Sequence, residues 1–517
     1  TLYETSYGAD GKPSGIVAQG VRTDYTYDAA GRLKKLVSDN GLSVQYRYDR
    51  NGMQTQMLYG NGLVTAYTYD SRSRLTGMRS GFPDRTPLFD ASYTYDASGN
   101  RTGRQETVHG NHGTHKTPVT TAYGYDSMNR LVSENCGNSR ISYKYDLSGN
   151  RISRDTDGRT ENYLYNSRNQ LTQLTGDDKN ISYTYDPAGN LTEEHSTEHK
   201  KIYSYDTYNR NTEINGNDFT QKNHYDAEGY RYSIEENDKV TNFVYRRGIM
   251  LAELDEAGNQ AKTYTLGNEY AGHVSELNNS LTSENKAASY YITDEQGSIR
   301  YILDQSGEVQ NYYQYSAFGE TIISEETTPN RLRYNTQTED ELTGFYYLRA
   351  RYYNASLGRF TQEDVIYNDG LNLYAYCNSN PVMYSDPSGF TKQCNPKVGG
   401  EKDSKSGSNI KGQLYNGTRN PDVDFVNGKG KSTLNKHAGK HGYASPKEYL
   451  KDARNFLEKK PTSTIQSFVS NEGTYFRYDT TTNEFGIINK YGGISTYFKP
   501  ENGMVYWLEQ IEKYAPK

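Results

Sequence analysis

The stretch ISYKYDLSGNRISRDTDG, residues 141–158, decides the fold. Tyr143 and Tyr145 stand two apart and share one face of an extended strand. Asp146 to Asn150 is turn sequence, with Gly149 and Asn150 suited to positive φ. Arg151 then opens a second alternating segment, so the unit reads strand, tight turn, strand. The Tyr-Asp dipeptide recurs from Tyr27, Tyr48, Tyr69, Tyr95, Tyr125, Tyr145, Tyr185, Tyr205 and Tyr225, and Tyr165-Asn166 fills the one gap. From Tyr125 to Tyr225 every step is 20 residues. A fixed period marks a repeat architecture, because one hairpin cannot bury its face but stacked neighbours can. Aligned tyrosines predict ladders of rings whose hydroxyls reach solvent or backbone partners.

Composition agrees. The 517 residues include 52 Tyr and 48 Gly but 1 Trp and 3 Cys; only 33% are apolar and the mean hydropathy is −0.98. That is too polar for one aliphatic core and too aromatic for a disordered chain. No apolar run approaches the ~18 residues of a membrane-spanning helix. Cys136, Cys377 and Cys394 fit neither a disulfide scaffold nor a zinc spacing. Length alone predicts about three domains. The chain opens at Thr1 in mid-pattern with no basic-then-apolar leader, and reads as part of a longer protein. Charge divides it: residues 391–517 hold 17 Lys and 3 Arg against 5 Asp and 8 Glu, a net of +7, leaving −13 on residues 1–390. Of the tyrosines, 43 precede residue 391. A basic domain on an acidic body points to nucleic acid.

The repeats resemble the YD repeats of Rhs proteins, wall-associated proteins and the C components of insecticidal Tc toxins. That resemblance implies a hollow shell of antiparallel hairpins over residues 1–289. The segments 290–320 and FYYLRARYYNASLGRFTQEDVIYNDGLNLYAYCNSNPVMYSDPSGF, residues 345–390, resemble the Rhs-associated core, which closes the shell. In many members it also cuts the chain just beyond itself. The resemblance carries the cutting residues onto Arg351, Asp364 and Asp386, and the scissile bond onto Phe390–Thr391. Two departures stand out: Val365 where the family often has Pro, and Phe390 where it usually has Leu. The chemistry is sound, since of two carboxylates held close one keeps a proton as acid while the other activates water. An arginine beside them biases that sharing or holds an oxyanion.

Residues 391–412 read as a linker and 413–517 as a small α+β domain. Ser445-Pro446-Lys447-Glu448 is a capped helix start, continued to about Lys459 with Tyr449, Ala453, Phe456 and Leu457 as its apolar stripe. Residues 432–442 predict a short helix before it. Strands follow at Ser463–Ser470, Thr474–Asp479, Glu484–Asn489 and Gly493–Lys499. GKGKST (428–433) lacks the first glycine of a phosphate loop, since Phe425 stands there. HAGKH (437–441) lacks the glutamate of a zinc protease, and no deaminase ligand set exists. No ExE pair marks an ADP-ribosyltransferase, as Glu509 and Glu512 lie three apart. Two histidines among cations remain, the inventory of metal-free RNA cleavage.

Residues 422–517 look like the ribonuclease toxins grouped with barnase, EndoU, colicin nucleases and RelE. Carried over, His437 or His441 is the base, Lys440, Arg477 and Lys499 bind phosphate, and Thr496 or Tyr497 orients it. The expectation is a secreted or cell-surface toxin that needs no cofactor or metal. It delivers a self-cleaved ribonuclease to a target cytoplasm, cuts RNA (tRNA foremost), and is neutralised by an acidic immunity protein. The competing readings are an adhesive surface repeat, or the same shell carrying another enzyme such as an ADP-ribosyltransferase.

Overall fold

The computed structural model describes residues 3–85, 87–108, 118–276, 286–365, 372–394, 434, 438, 440–441, 443, 445–458, 464–470, 474–488 and 494–514. The chain divides into two compact units, Thr1–Gly400 and Glu401–Lys517. The division falls ten residues past the predicted join, because Gln393–Cys394 still pairs with Tyr384–Ser385. The expected linker from residue 395 onward lies outside the described residues.

In the first unit thirty strands, from Tyr3–Tyr7 to Thr321–Glu326, form one sheet. Each strand pairs antiparallel with its sequence neighbours, as Ser139–Tyr145 does with Leu131–Cys136 and Arg151–Thr156. The register slips just before the second tyrosine of the motif, at Tyr145, Tyr165, Tyr185, Tyr205 and Tyr225 alike. Such a bulge re-aims a side chain. The re-aimed hydroxyl donates to the carbonyl that opens an earlier strand: Tyr145 to Leu131, Tyr165 to Arg151 and Tyr225 to Asn211, each at 2.8 Å. The motif aspartate ties its own turn. Asp146 Oδ1 accepts the Asn150 N–H at 2.8 Å and Oδ2 the Asn150 amide at 2.9 Å. That bonding corrects one expectation: Gly149 takes φ +83°, but Asn150 does not enter the left-handed region. Asn129, Asn169 and Asn209 replace the turn glycine in alternate units, each at φ 60°.

Successive turns are also stitched together. Asn150 donates to Asn169 Oδ1 at 2.8 Å, whereas Arg130 donates to Asp146 O at 2.9 Å and covers the Tyr145 ring at 4.8 Å. Each bond contributes only about 1 kcal/mol net, so the wall owes its order to repetition.

Sheets beyond about ten strands curl, and this one returns on itself. Tyr59 donates to Tyr291 O and Tyr301 to Leu88 O, each at 3.0 Å. Leu36, Val44, Met57 and Phe89 thereby share a core with Tyr290, Ile292 and Tyr301. Residues beyond 340 fill the remaining face: Phe345, Tyr347 and Tyr352 pack on Tyr163, Leu174, Tyr183 and Tyr203. The same segment reads the repeat turns, with Asn372 on Asn150 Oδ1 (2.7 Å), Asn380 on Asn129 O (2.8 Å) and Gln362 on Asn209 O (2.6 Å).

In the second unit, helix α1 (Pro446–Glu458) precedes strands Ile465–Val469, Tyr475–Asp479, Glu484–Ile488 and Ile494–Phe498, which form one antiparallel sheet in sequence order. Ser445 Oγ accepts the Glu448 N–H at 3.4 Å, as the N-cap reading requires. Tyr449, Ala453, Phe456 and Leu457 are buried against Tyr475, Ile488, Ile494 and Tyr497. Helix α2 (Met504–Tyr514) brings Trp507 to the opposite face, onto Phe468, Phe476, Tyr478 and Phe485. The sheet is covered on both faces. Of the predicted helix at 432–442, the described residues are Leu434, Ala438 and Lys440, all helical, and His441, which lies in a turn.

Candidate functional site

Two places gather chemistry. The first is the loop between Tyr384–Ser385 and Gln393–Cys394, which carries the Phe390–Thr391 bond. Four two- to three-residue strands, Thr338–Glu339, Tyr346–Tyr347, Tyr352–Asn354 and Arg359–Phe360, form a small sheet beside it. Arg351 stands at the entrance of the third strand, and Asp364 lies four residues past the fourth. The arginine Nη2 lies 2.8 Å from Asp364 Oδ2 and 3.9 Å from Asp386 Oδ2. Arg351 Nε donates to Gly389 O, Nη1 donates to Leu373 O at 2.8 Å, and the guanidinium lies 3.6 Å over the Phe360 ring. Asp386 Oδ1 accepts from Ser388 N and Ser388 Oγ at 3.1 Å and from Gly389 N at 2.9 Å, an Asx turn that shapes the loop. Arg351, Asp364 and Asp386 are only 5%, 6% and 3% exposed, while Phe390 and Thr391 are half-buried. Three residues spread over 35 positions therefore converge on one loop.

The second place lies along the edge strand Ile494–Phe498 of the C-terminal sheet. His441 stacks on Phe498 at 5.0 Å (8° between planes) and on Tyr449 at 5.8 Å (21°), and its Nε2 lies 3.4 Å from Thr496 Oγ1. Tyr449 Oη donates to Tyr497 O at 2.7 Å, and Tyr497 Oη donates to Glu484 Oε1 at 2.6 Å. Burial, with Glu484 alongside, pushes the Tyr497 hydroxyl well above the usual phenol range; burial lifts Tyr449 to about 12. Both stay protonated at neutral pH and act as donors.

Lys440 and Lys499 are exposed. Arg477 is not: its side chain is fully buried, Nη1 donates to Leu457 O at 2.8 Å, and the guanidinium lies 5.7 Å from the Phe456 ring centre. It holds the last turn of α1 to the sheet, so the side chain expected to bind phosphate is buried in this structure. Tyr497, buried by the same packing, supports rather than faces solvent. His437 lies outside the described residues. Glu484 and Phe498, which faces Phe485 across the strand pair, complete the setting without having been singled out from sequence. Among the described residues no group of three His, Cys, Asp or Glu side chains is placed as metal ligands are, and no helix is long and apolar enough to cross a membrane.

A teneurin YD-shell family model matches residues 82–382, and an RHS repeat model matches residues 27–64. The chain is similar to the tRNA nuclease WapA of Bacillus subtilis (strain 168), 37% identical over 175 residues, which are 32% of this chain and 7% of that protein. It is also similar to the double-stranded DNA deaminase toxin A of Burkholderia cenocepacia (strain H111), 35% identical over 107 residues, 20% of this chain and 7% of that one. The chain thus spans only about 7% of the length of these curated relatives. Among solved structures, the Photorhabdus luminescens Tc holotoxin pore superposes with a TM-score of 0.58 at 19% identity, over 77% of this chain and 22% of that one, a likeness of fold.

Proposed function

The chain belongs to the teneurin YD-shell family, and on that premise we propose that it is a toxin whose shell cuts itself at Phe390–Thr391 and delivers a metal-independent ribonuclease. The observation that carries the reading is the buried convergence of Arg351, Asp364 and Asp386 on the loop bearing that bond. The reaction needs one carboxylate as base and the other as acid, and both stand beside one guanidinium. In the cut, one carboxylate takes a proton from water as the oxygen adds to the Phe390 carbonyl. The other protonates the Thr391 nitrogen as the C–N bond breaks. The products are a Phe390 carboxyl and a Thr391 amine, and the pair ends with the one proton it began with.

In the released domain, His441 is the proton-transfer group, with Thr496 at its Nε2 and exposed Lys440 and Lys499 as the phosphate-binding cations. The stacked ring keeps a fixed plane, as general base catalysis at a 2′-hydroxyl needs. The Bacillus relative is a tRNA nuclease, which makes tRNA the first substrate to test. The protein is secreted or surface-associated, acts in a target cytoplasm, and meets an acidic immunity protein that covers the +7 domain. Intact mass of the purified chain under denaturing conditions tests the cut: a single species at 58.7 kDa overturns it. Induction of residues 391–517 in a bacterium tests the activity: unimpaired growth with intact tRNA and rRNA refutes it.

A further inference from the structure

We propose that Arg349 is a positioning residue that clamps the self-cleaving loop in a single register. The inference rests on the self-cleavage reading. Three consecutive residues hold three consecutive carbonyls: Arg349 Nη1 donates to Pro387 O, the Ala350 N–H to Ser388 O at 3.2 Å, and Arg351 Nε to Gly389 O. The clamp ends one residue before the bond to be cut.

Arg349 is itself anchored. Its Nε donates to Gly248 O at 2.7 Å, in a shell hairpin, and its Nη1 also reaches Gln337 Oε1. It sits at φ +64°, a conformation unfavourable for a non-glycine residue that persists only when the surroundings enforce it. Gly389 supplies the reason for one register. It takes φ +73°, and a Cβ there would lie 2.6 Å from Leu348 O and 2.9 Å from Arg351 N, both main-chain atoms. Slipping the loop by one residue would press Ser388 or Phe390 into that contact. The loop therefore enters one way, and the carboxylates meet one peptide bond.

The test is time-resolved intact mass of the full chain after rapid purification, for wild type and variants across pH. Arg349→Gln is expected to slow the cut about tenfold to a hundredfold, as an ångström of misplacement does. The cut should also spread to bonds beside Phe390–Thr391, with the shape of the pH profile unchanged because the carboxylates are intact. Arg349→Lys should recover part of the rate, since one ammonium can still reach Pro387 O. A folded Arg349→Gln protein that cuts at the wild-type rate and only at Phe390–Thr391 overturns the clamp while leaving self-cleavage standing. An uncut wild-type chain instead brings down the reading beneath it. If Arg349→Gln lacks a cooperative melting transition, Gln337→Ala decides, since it leaves Arg349 in place and removes one contact to its guanidinium, with a bond to Asn335 O. A several-fold slowing supports the clamp, and an unchanged rate with an unchanged site overturns it.

Discussion

The join and the C-terminal domain both place an ionisable group against an aromatic ring, yet they treat solvent in opposite ways. At the join, the Arg351 guanidinium is buried, stacked on Phe360, and bonded to an aspartate and two main-chain carbonyls. Around His441 the ring is stacked just as firmly, but the nearby cations Lys440 and Lys499 stand in water. The difference is what the two proposed roles require. A chain that cuts itself brings its substrate with it, so every contact can be made and dried during folding. A site for a separate polyanion must leave its charges outside until the ligand arrives, because burying an unpaired ammonium is costly. The comparison teaches where mutational effects should be absolute and where they should depend on solution conditions.

The largest effect is expected at the join. Asp386→Asn removes one member of the proton pair and unbalances the loop turn it accepts from. Self-cleavage should fall by about 10²–10⁴, the range of general acid–base catalysis, and the purified chain should run as one species. Cleavage of the Asn variant within threefold of wild type would remove Asp386 from the chemistry. Next, His441→Ala in the C-terminal domain should lower RNA cleavage by about 10²-fold or more without changing the self-cut. That double readout separates the two sites, because a variant that impaired both would be acting through folding.

A smaller and different effect is expected at Arg477. With the guanidinium inside and bonded to Leu457 O, Arg477→Met should cost about 1–3 kcal/mol of domain stability, the loss of a buried bond. RNA cleavage per folded molecule should stay near wild type. If cleavage collapses while the melting temperature holds, Arg477 belongs to the open site after all.

Arg477 also marks the limit of what could be read from residues. The period of 20, the turn aspartates and the capped start of α1 are local or spaced signals, and they survive in the structure. What the residues did not show was the burial of Arg477. Tyr475–Asp479 is buried at every position, because α2 covers the face that α1 leaves bare. A strand with both faces covered carries no period-2 signature. The ties of Asn372, Asn380 and Gln362 to repeat turns were equally invisible, since each links positions over a hundred residues apart through a single polar atom.

The smallest effect expected is also the sharpest probe of the open site. Lys499→Ala should weaken RNA cleavage only a few-fold at low salt, because one exposed cation releases about one counterion from the nucleic acid. For single strands each such contact contributes a slope of about −0.7 in log affinity against log salt. Between 50 and 200 mM salt, the gap between wild type and variant should therefore shrink by about 2.6-fold. Self-cleavage of either protein should not respond, since the Arg351–Asp364 pair is buried from the ions that screen exposed charges. A self-cleavage rate that falls with salt as the RNA reaction does would mean the join opens to water before it cuts. A Lys499 effect that is the same at both salt concentrations would mean its role is steric, and the phosphate contact would pass to Lys440.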